Sequence, residues 1–172
     1  GAAAEDECGV CQGDGSSCVY SVAQSQEQAI YQFDSVTIDG EGLTDGDWLI
    51  ARNGDVIVGV STWEGSGTEV VVMGQESWPD GWESPVDTDG MMLAGQTPQF
   101  YVFDASAPLE SIAQYVAADG TQLEDIPAYT GLDYNLGLSL SLETDCHADL
   151  GGAAVTSGLC GDCWGGNTGL AL

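Results

Sequence analysis

The chain has 172 residues, with 28 acids against one base, Arg52, a formal net charge of −27 and six cysteines. This length suits one domain with appendages. The charge speaks against nucleic acid and anionic membrane surfaces as partners, because one cation cannot neutralise a phosphate backbone, and no apolar run nears the roughly 20 residues that span a bilayer.

Self-repulsion at this charge must be relieved by bound cations, by salt, or by spreading over a large surface, so calcium or a saline medium is expected. The absence of lysine rules out a Lys–Asn isopeptide cross-link and leaves trypsin-like proteases one site. Both facts suit a durable extracellular or cell-surface protein. A halophile cytosol fits less well, given the cysteines. No signal peptide is visible, so the chain is expected to be mature or a segment of something longer.

Residues 1–19 have no periodicity and much Gly, Ala, Asp and Ser, which is linker chemistry. They hold Cys8, Cys11 and Cys18, with Asp6 and Asp14 between them. At Tyr20 the texture changes, and residues 20–143 are long enough to bury a core without cross-links. Tyr31/Phe33 and Val36/Ile38 each alternate, with a phase slip between them, which predicts two strands or one bulged strand. Helix propensity over Gln24–Gln32 has no cap to support it. Asp39-Gly40-Glu41-Gly42 and Asp45-Gly46-Asp47 are turns. Asn53-Gly54 lies between the β-rich runs Trp48–Arg52 and Asp55–Val60 and predicts a type I′ hairpin. Glu69–Met73 is nearly all apolar, which predicts a central strand.

Gln75 to Leu93 is a long acidic loop with Trp78, Pro79, Trp82 and Pro85, closing on Asp87-Thr88-Asp89-Gly90. Pro98–Asp104 is a further strand, and Leu109–Val116 is either a strand or one or two helical turns. Leu136, Leu138, Leu140 and Leu142 alternate with Gly137, Ser139 and Ser141, the pattern of a half-buried strand. Short strands separated by Gly/Asp/Asn turns predict an all-β fold, an antiparallel β-sandwich, between two loop-like, disulfide-rich linkers. Linker texture returns over residues 144–172, with Cys146, Cys160 and Cys163 and with Asp145, Asp149 and Asp162.

Six cysteines form a disulfide framework in an oxidising compartment and suggest zinc in a reducing one. Disulfides are the preferred reading, because each end has three cysteines and the single His147 completes no four-ligand set. Aligning Cys8 and Cys11 with Cys160 and Cys163 brings the Gly-Ala-Ala leaders almost into register. The overlay defines a unit of four cysteines of which each end holds three, since the position matching Cys18 is Leu170. An odd count suggests intermolecular pairing or one period of a tandem array, and head-to-tail contacts that do not close into a ring give filaments. Fifteen pairings of six cysteines remain open.

The terminal segments, Asp-x-Cys-Gly-x-Cys-x-Gly-Asp-Gly-Ser-Ser-Cys (6–18) and Asp145-Cys146 with Gly151-Gly152 and Cys160-Gly161-x-Cys163-x-Gly165-Gly166-Asn167-Thr168-Gly169, resemble the Asp-Cys/Gly-Gly repeats of large secreted bacterial proteins. Those repeats are distantly similar to thrombospondin type 3 repeats. The dense Asp-x-Asp-x-Asp-Gly runs that bind calcium in type 3 repeats are absent here. The middle, through Gly46-Asp47-Trp48-Leu49-Ile50-Ala51, Asn53-Gly54-Asp55-Val56-Ile57-Val58-Gly59, Thr88-Asp89-Gly90 and Pro98-Gln99-Phe100, resembles a β-sandwich module found between such repeats. The resemblance covers most of residues 20–106. It implies an extracellular building block and supplies no catalytic residues.

Candidate sites follow. Calcium needs six to eight oxygens; Asp45, Asp47 and Asp55 flank one turn region, Asp87 and Asp89 another, and the linker aspartates form a further set. Solvated turn aspartates are the competing reading. Trp78 and Trp82 offer faces on which sugars stack, unless they fold back over one end of the sandwich. Glu64, Glu69, Glu76 and Glu83 point to no particular carboxylate pair in so acidic a chain, and His147 in a linker speaks against a Ser-His-Asp triad. No thioredoxin-like pattern surrounds either CxxC. No Asn heads an Asn-x-Ser/Thr sequon, so any attached sugar is expected to be O-linked. The expectation is a non-enzymatic extracellular structural protein that joins copies of itself into a fibre or surface appendage. The alternative is a carbohydrate-binding or adhesive module of a larger surface protein.

Overall fold

The residues with the strongest β character form the strands in the computed structural model, which describes residues 20–79, 82, 85–105, 109–116, 125–143, 155–157 and 162–164. The strands are β1 (Gln28–Ile38), β2 (Glu41–Gly42), β3 (Trp48–Asn53), β4 (Val56–Thr62), β5 (Thr68–Met73), β6 (Gln99–Asp104), β7 (Leu109–Ile112), β8 (Gln114–Val116), β9 (Tyr134–Leu142), β10 (Val155–Ser157) and β11 (Asp162–Trp164). No helix occurs among the described residues. Gln24–Glu27 are irregular, and the chain enters β1 at Gln28.

Two sheets face each other. One runs β2-β1-β9-β8, with β5 also paired to β1; the other runs β4-β3-β6-β7. Every pairing is antiparallel except β1 with β9. Parallel neighbours cannot be joined by a hairpin, and here the chain builds the whole opposite sheet between the two. The core centres on three buried rings. Phe100 of β6 lies 5.4 Å from the Tyr31 ring and 4.8 Å, edge-on, from the Phe33 ring, a favoured aromatic geometry. Val36, Leu49, Ala51, Val70, Val72, Val102, Leu138 and Leu140 complete it.

The sandwich nearly closes along both sides. At Ala113 the chain passes from β7 in one sheet to β8 in the other, holding β6 through Ala113 N–H to Phe100 O at 2.8 Å. On the other side β4 meets β5 at a bare glycine: a Cβ on Gly59 would stand 2.7 Å from Val71 O. The C-terminal linker adds a separate ribbon, β10 paired with β11, to the loop character expected for residues 144–172.

Several expectations change. The slip between Phe33 and Val36 is one bulged strand, since the β1–β9 register shifts at that point. Residues 109–116 are two strands. The β3–β4 loop is Gly54-Asp55, because Asn53 already pairs with Val56. Only Gly54 there has positive φ, the signature of type II′ and not of the expected type I′. The type I′ pattern falls at Asp39-Gly40, φ 50° and 82°, joining β1 to β2. β5 is not central: among the described strands it hydrogen-bonds β1 alone, and its apolar character comes from packing under β4.

The leucine row also breaks. Leu138, Leu140 and Leu142 are buried, but Leu136 is 59% exposed. Between Tyr31 and Phe33, β1 advances two residues while β9 advances from Asn135 to Leu138. The extra residue, with Gly137 at φ 72°, turns Leu136 to the opposite face. Leu136 then joins Tyr134, 67% exposed, and Leu132, 80% exposed and held at φ 64°, in an apolar row open to solvent.

The two ends of the sandwich differ. At one, Asp39 N–H bonds Leu142 O and Tyr20 packs on Trp48 and Phe103, ring centroids 6.1 and 5.7 Å away. Tyr20 and Glu143, where the linkers attach, therefore lie toward this end. The other end holds the start of β1 and β9, the 74–96 loop and the apolar row.

Two phenols serve the core. The Tyr31 hydroxyl donates to Pro127 O at 2.9 Å, and burial, then Asp133 and Tyr129, raises its pKa well above the tyrosine range. Tyr129 is pushed up to about 12 by burial, then by Glu27, and its buried hydroxyl has no hydrogen-bond partner among the described residues. It sits where a Cβ on Gly74 would be, so that position admits only glycine.

A core substitution tests the bulge: Leu138→Ala is expected to cost about 2–5 kcal/mol, and Leu136→Ser less than about 0.5 kcal/mol, by urea denaturation. Equal costs would contradict the exposed Leu136. Both phenols have folded pKa values above the unfolded value of about 10. Their stabilisation is thus complete below about pH 10 and lost as pH rises toward 12 and beyond. The denaturation midpoint should fall across that window, and less in Tyr129→Phe, which removes an unpaired hydroxyl at little cost at neutral pH.

Candidate functional site

The loop after β5 is pinched at its neck. Gly74 bridges Met92, Met92 N–H donates to Met73 O at 3.2 Å, and Gln75 N–H donates to Met92 O at 2.9 Å. Met91 and Met92 are buried and anchor the returning limb of the loop. From β3, Asn53 Nδ2 donates to Gly90 O at 2.9 Å. Buried Thr88 accepts the Glu76 N–H on its Oγ1 at 3.2 Å. Trp78 and Trp82 lie in the loop beyond this neck.

Trp78 is 36% exposed and Trp82 70% exposed. They do not fold back to cover the sandwich. With Glu76, Val86, Asp87, Thr88 and Asp89 they line an open groove of about 480 Å³, within the size range of small-ligand sites. Glu76 orients one wall: its Oε2 accepts the Trp78 indole N–H at 2.7 Å and its Oε1 accepts Gln26 N–H at 2.8 Å. Asp87 Oδ1 accepts Asp89 N–H at 3.1 Å, and Asp89 Oδ1 accepts Gln75 Nε2 at 3.4 Å. The groove thus offers indole faces and acceptor oxygens.

The structure separates the first calcium set. Asp45 and Asp47 precede β3 and Asp55 follows it, so six strand residues, about 20 Å at 3.3 Å each, divide them. Asp47 is buried, and both of its oxygens are used. Oδ2 accepts Thr44 N–H at 2.7 Å and Thr44 Oγ1–H at 3.1 Å, and Oδ1 accepts Ala105 N–H at 2.9 Å. It clamps the turn before β3 to the end of β6. Asp87 and Asp89 do lie together, on the groove. Among the described residues no three His, Cys, Asp or Glu side chains form a metal-type cluster. Asp6, Asp14, Asp145 and Asp149, with Cys8, Cys11, Cys18, Cys146 and Cys160, lie outside the described residues, as does Glu83. Asp162 and Cys163 are placed as β11 positions opposite Ser157 and Thr156.

Sequence reasoning missed that the two tryptophans and the Asp87/Asp89 pair, read as separate sugar and calcium candidates, line one groove. The pinched neck unites them, and no local signal marks it. It also missed the Leu132–Tyr134–Leu136 row, although Gly137 inside a strand was a signal for a bulge.

A scan against protein-family models found no match, and neither did searches of curated proteins and of solved structures. Among the described residues no helix is long and apolar enough to cross a membrane.

If Asp47 is a clamp and not a ligand, Asp47→Ala should cost about 1–3 kcal/mol, because the part-buried Thr44 and Ala105 N–H groups lose a charged acceptor. Asp45→Ala and Asp55→Ala should stay within about 0.5 kcal/mol. Thermal melts with calcium and with chelator should show the same Asp47→Ala penalty; a penalty that vanishes under chelation would restore the calcium reading.

Proposed function

We propose that the chain is a non-enzymatic extracellular building block that joins copies of itself through its cysteine-bearing terminal segments. One observation carries the reading: Tyr20 and Glu143 lie toward the same end of the sandwich. A domain attached this way does not hold its two connectors apart. Connectors joined from copy to copy run as a spine, and each sandwich projects from it with the tryptophan groove and the apolar row outermost. Each terminal segment holds three cysteines, so local pairing leaves one sulfur per segment for a bond beyond it.

Energetics favour a covalent link. A net charge of −27 opposes association, and salt screens it only beyond roughly 8 Å at physiological strength. Burying Leu132, Tyr134 and Leu136 against a neighbour gains at most about 1.5–3 kcal/mol each, enough for weak lateral contact.

A second reading, an adhesive or carbohydrate-binding module of a larger surface protein, is favoured by the exposed Trp78 and Trp82 that line one groove. Electron microscopy with gel electrophoresis separates the two. The first expects filaments with regular side projections and a ladder of bands that collapses to one on reduction. A monodisperse monomer, unshifted by reductant and retained on a glycan array, would overturn the first and support the second.

A further inference from the structure

We propose that the groove between Trp78 and Trp82 selects a glycan bearing protonated amines, a glucosamine-type sugar, over neutral and acidic glycans. The inference rests on the carbohydrate-binding reading and adds the ligand class. Its basis is the donor–acceptor character of the walls. The polar side chains there are Glu76, Asp87, Asp89 and Thr88, and ionised carboxylates only accept hydrogen bonds. Among the described residues, neither Asp87 Oδ2 nor Asp89 Oδ2 has a partner. Of the donors on these walls, the Trp78 indole N–H is already given to Glu76, which leaves the Trp82 indole N–H and the Thr88 hydroxyl beside the carboxylates. An ammonium group supplies three donors and no acceptor, which matches this lining.

The aromatic walls point the same way. Both indoles offer sugar-sized flat faces, and a cation beside an indole face gains a further attraction that a hydroxyl does not. The bond from Trp78 to a carboxylate holds that face in place and enriches its electron density. An acidic sugar finds no counter-charge, because Arg52, the one Lys or Arg of the chain, lies over Tyr101 at 5.6 Å on the four-stranded sheet. The summed field of the chain concentrates cations at the groove and repels anions.

Binding of three short oligosaccharides of equal length to the intact chain tests this. They are a glucosamine oligomer, its N-acetylated counterpart and an oligouronate, read by calorimetry and tryptophan fluorescence at physiological salt and a pH below the amine pKa. The glucosamine oligomer should bind at least about tenfold more tightly than the N-acetylated one, and the uronate not at all. Trp82→Ala leaves the net charge unchanged and sits on an exposed loop; it should lose that preference. Asp87→Asn with Asp89→Asn should lose it too, with a weaker salt dependence. Glucosamine binding that persists in Trp82→Ala is general attraction to an acidic chain and overturns the site. Equal, Trp82-dependent binding of the N-acetylated oligomer overturns amine selection but leaves the carbohydrate reading standing. Failure of all three sugars overturns both. A lysine-rich peptide that outcompetes the glucosamine oligomer through Trp82 overturns the sugar as occupant.

Discussion

Phe100 sits between Tyr31 and Phe33, and the two sheets meet there. The other layers of the core follow from this contact. Tyr31 and Phe33 are spaced by two on β1, so both face inward, and Phe100 comes from the strand paired to the centre of the opposite sheet. Burial of the three rings removes roughly 450–750 Å² from water. Without the contact, the bulges in β1 and β9 would have no reason to hold their register, because only the buried face tells one pairing from the next.

Around that core, single polar atoms fix the loops. Asp47 ties the turn before β3 to the end of β6. Asn53 ties the end of β3 to the returning limb of the tryptophan loop. Glu76 joins that loop to the segment before β1. Each acts because a buried or half-buried carboxylate or amide must find partners, and backbone groups of a distant loop are what it finds. Beyond the neck of that loop Trp78 and Trp82 stand at the surface. Tyr129 is the exception. Its hydroxyl is buried against the bare face of Gly74 without a partner among the described residues, which makes it a weak point at alkaline pH.

Charge has a different role. The acids contribute little to the core, apart from Asp47, and define the exterior as one that repels its like. The only Arg sits in β3, hydrogen-bonded to strands on both sides, so the single trypsin-type site lies inside a sheet. Such a charge opposes non-specific association with other acidic chains. Its summed field attracts cations and repels anions.

The β-sandwich was legible in the sequence because period-two apolar runs and Gly/Asp/Asn turns are local signals. The strand at Trp48–Asn53, the phase slip after Phe33 and the loop with two tryptophans all stood in the chain where the structure has them. Type I′ geometry was misassigned to Asn53-Gly54 because dipeptide preference does not show which residue pairs last. Leu136 was misassigned because an unbroken alternation hides a bulge that only the partner strand reveals. By itself the sequence determined the fold class, the acidic exterior and the pair of exposed-aromatic candidates. Only the tertiary structure decided that Asp47 is a clamp, that Asp87 and Asp89 share a groove with Trp78 and Trp82, and that Tyr20 and Glu143 lie toward one end of the sandwich. The reason is physical: composition and periodicity act over a few residues, whereas a site and an exit direction depend on strands that pair across more than a hundred.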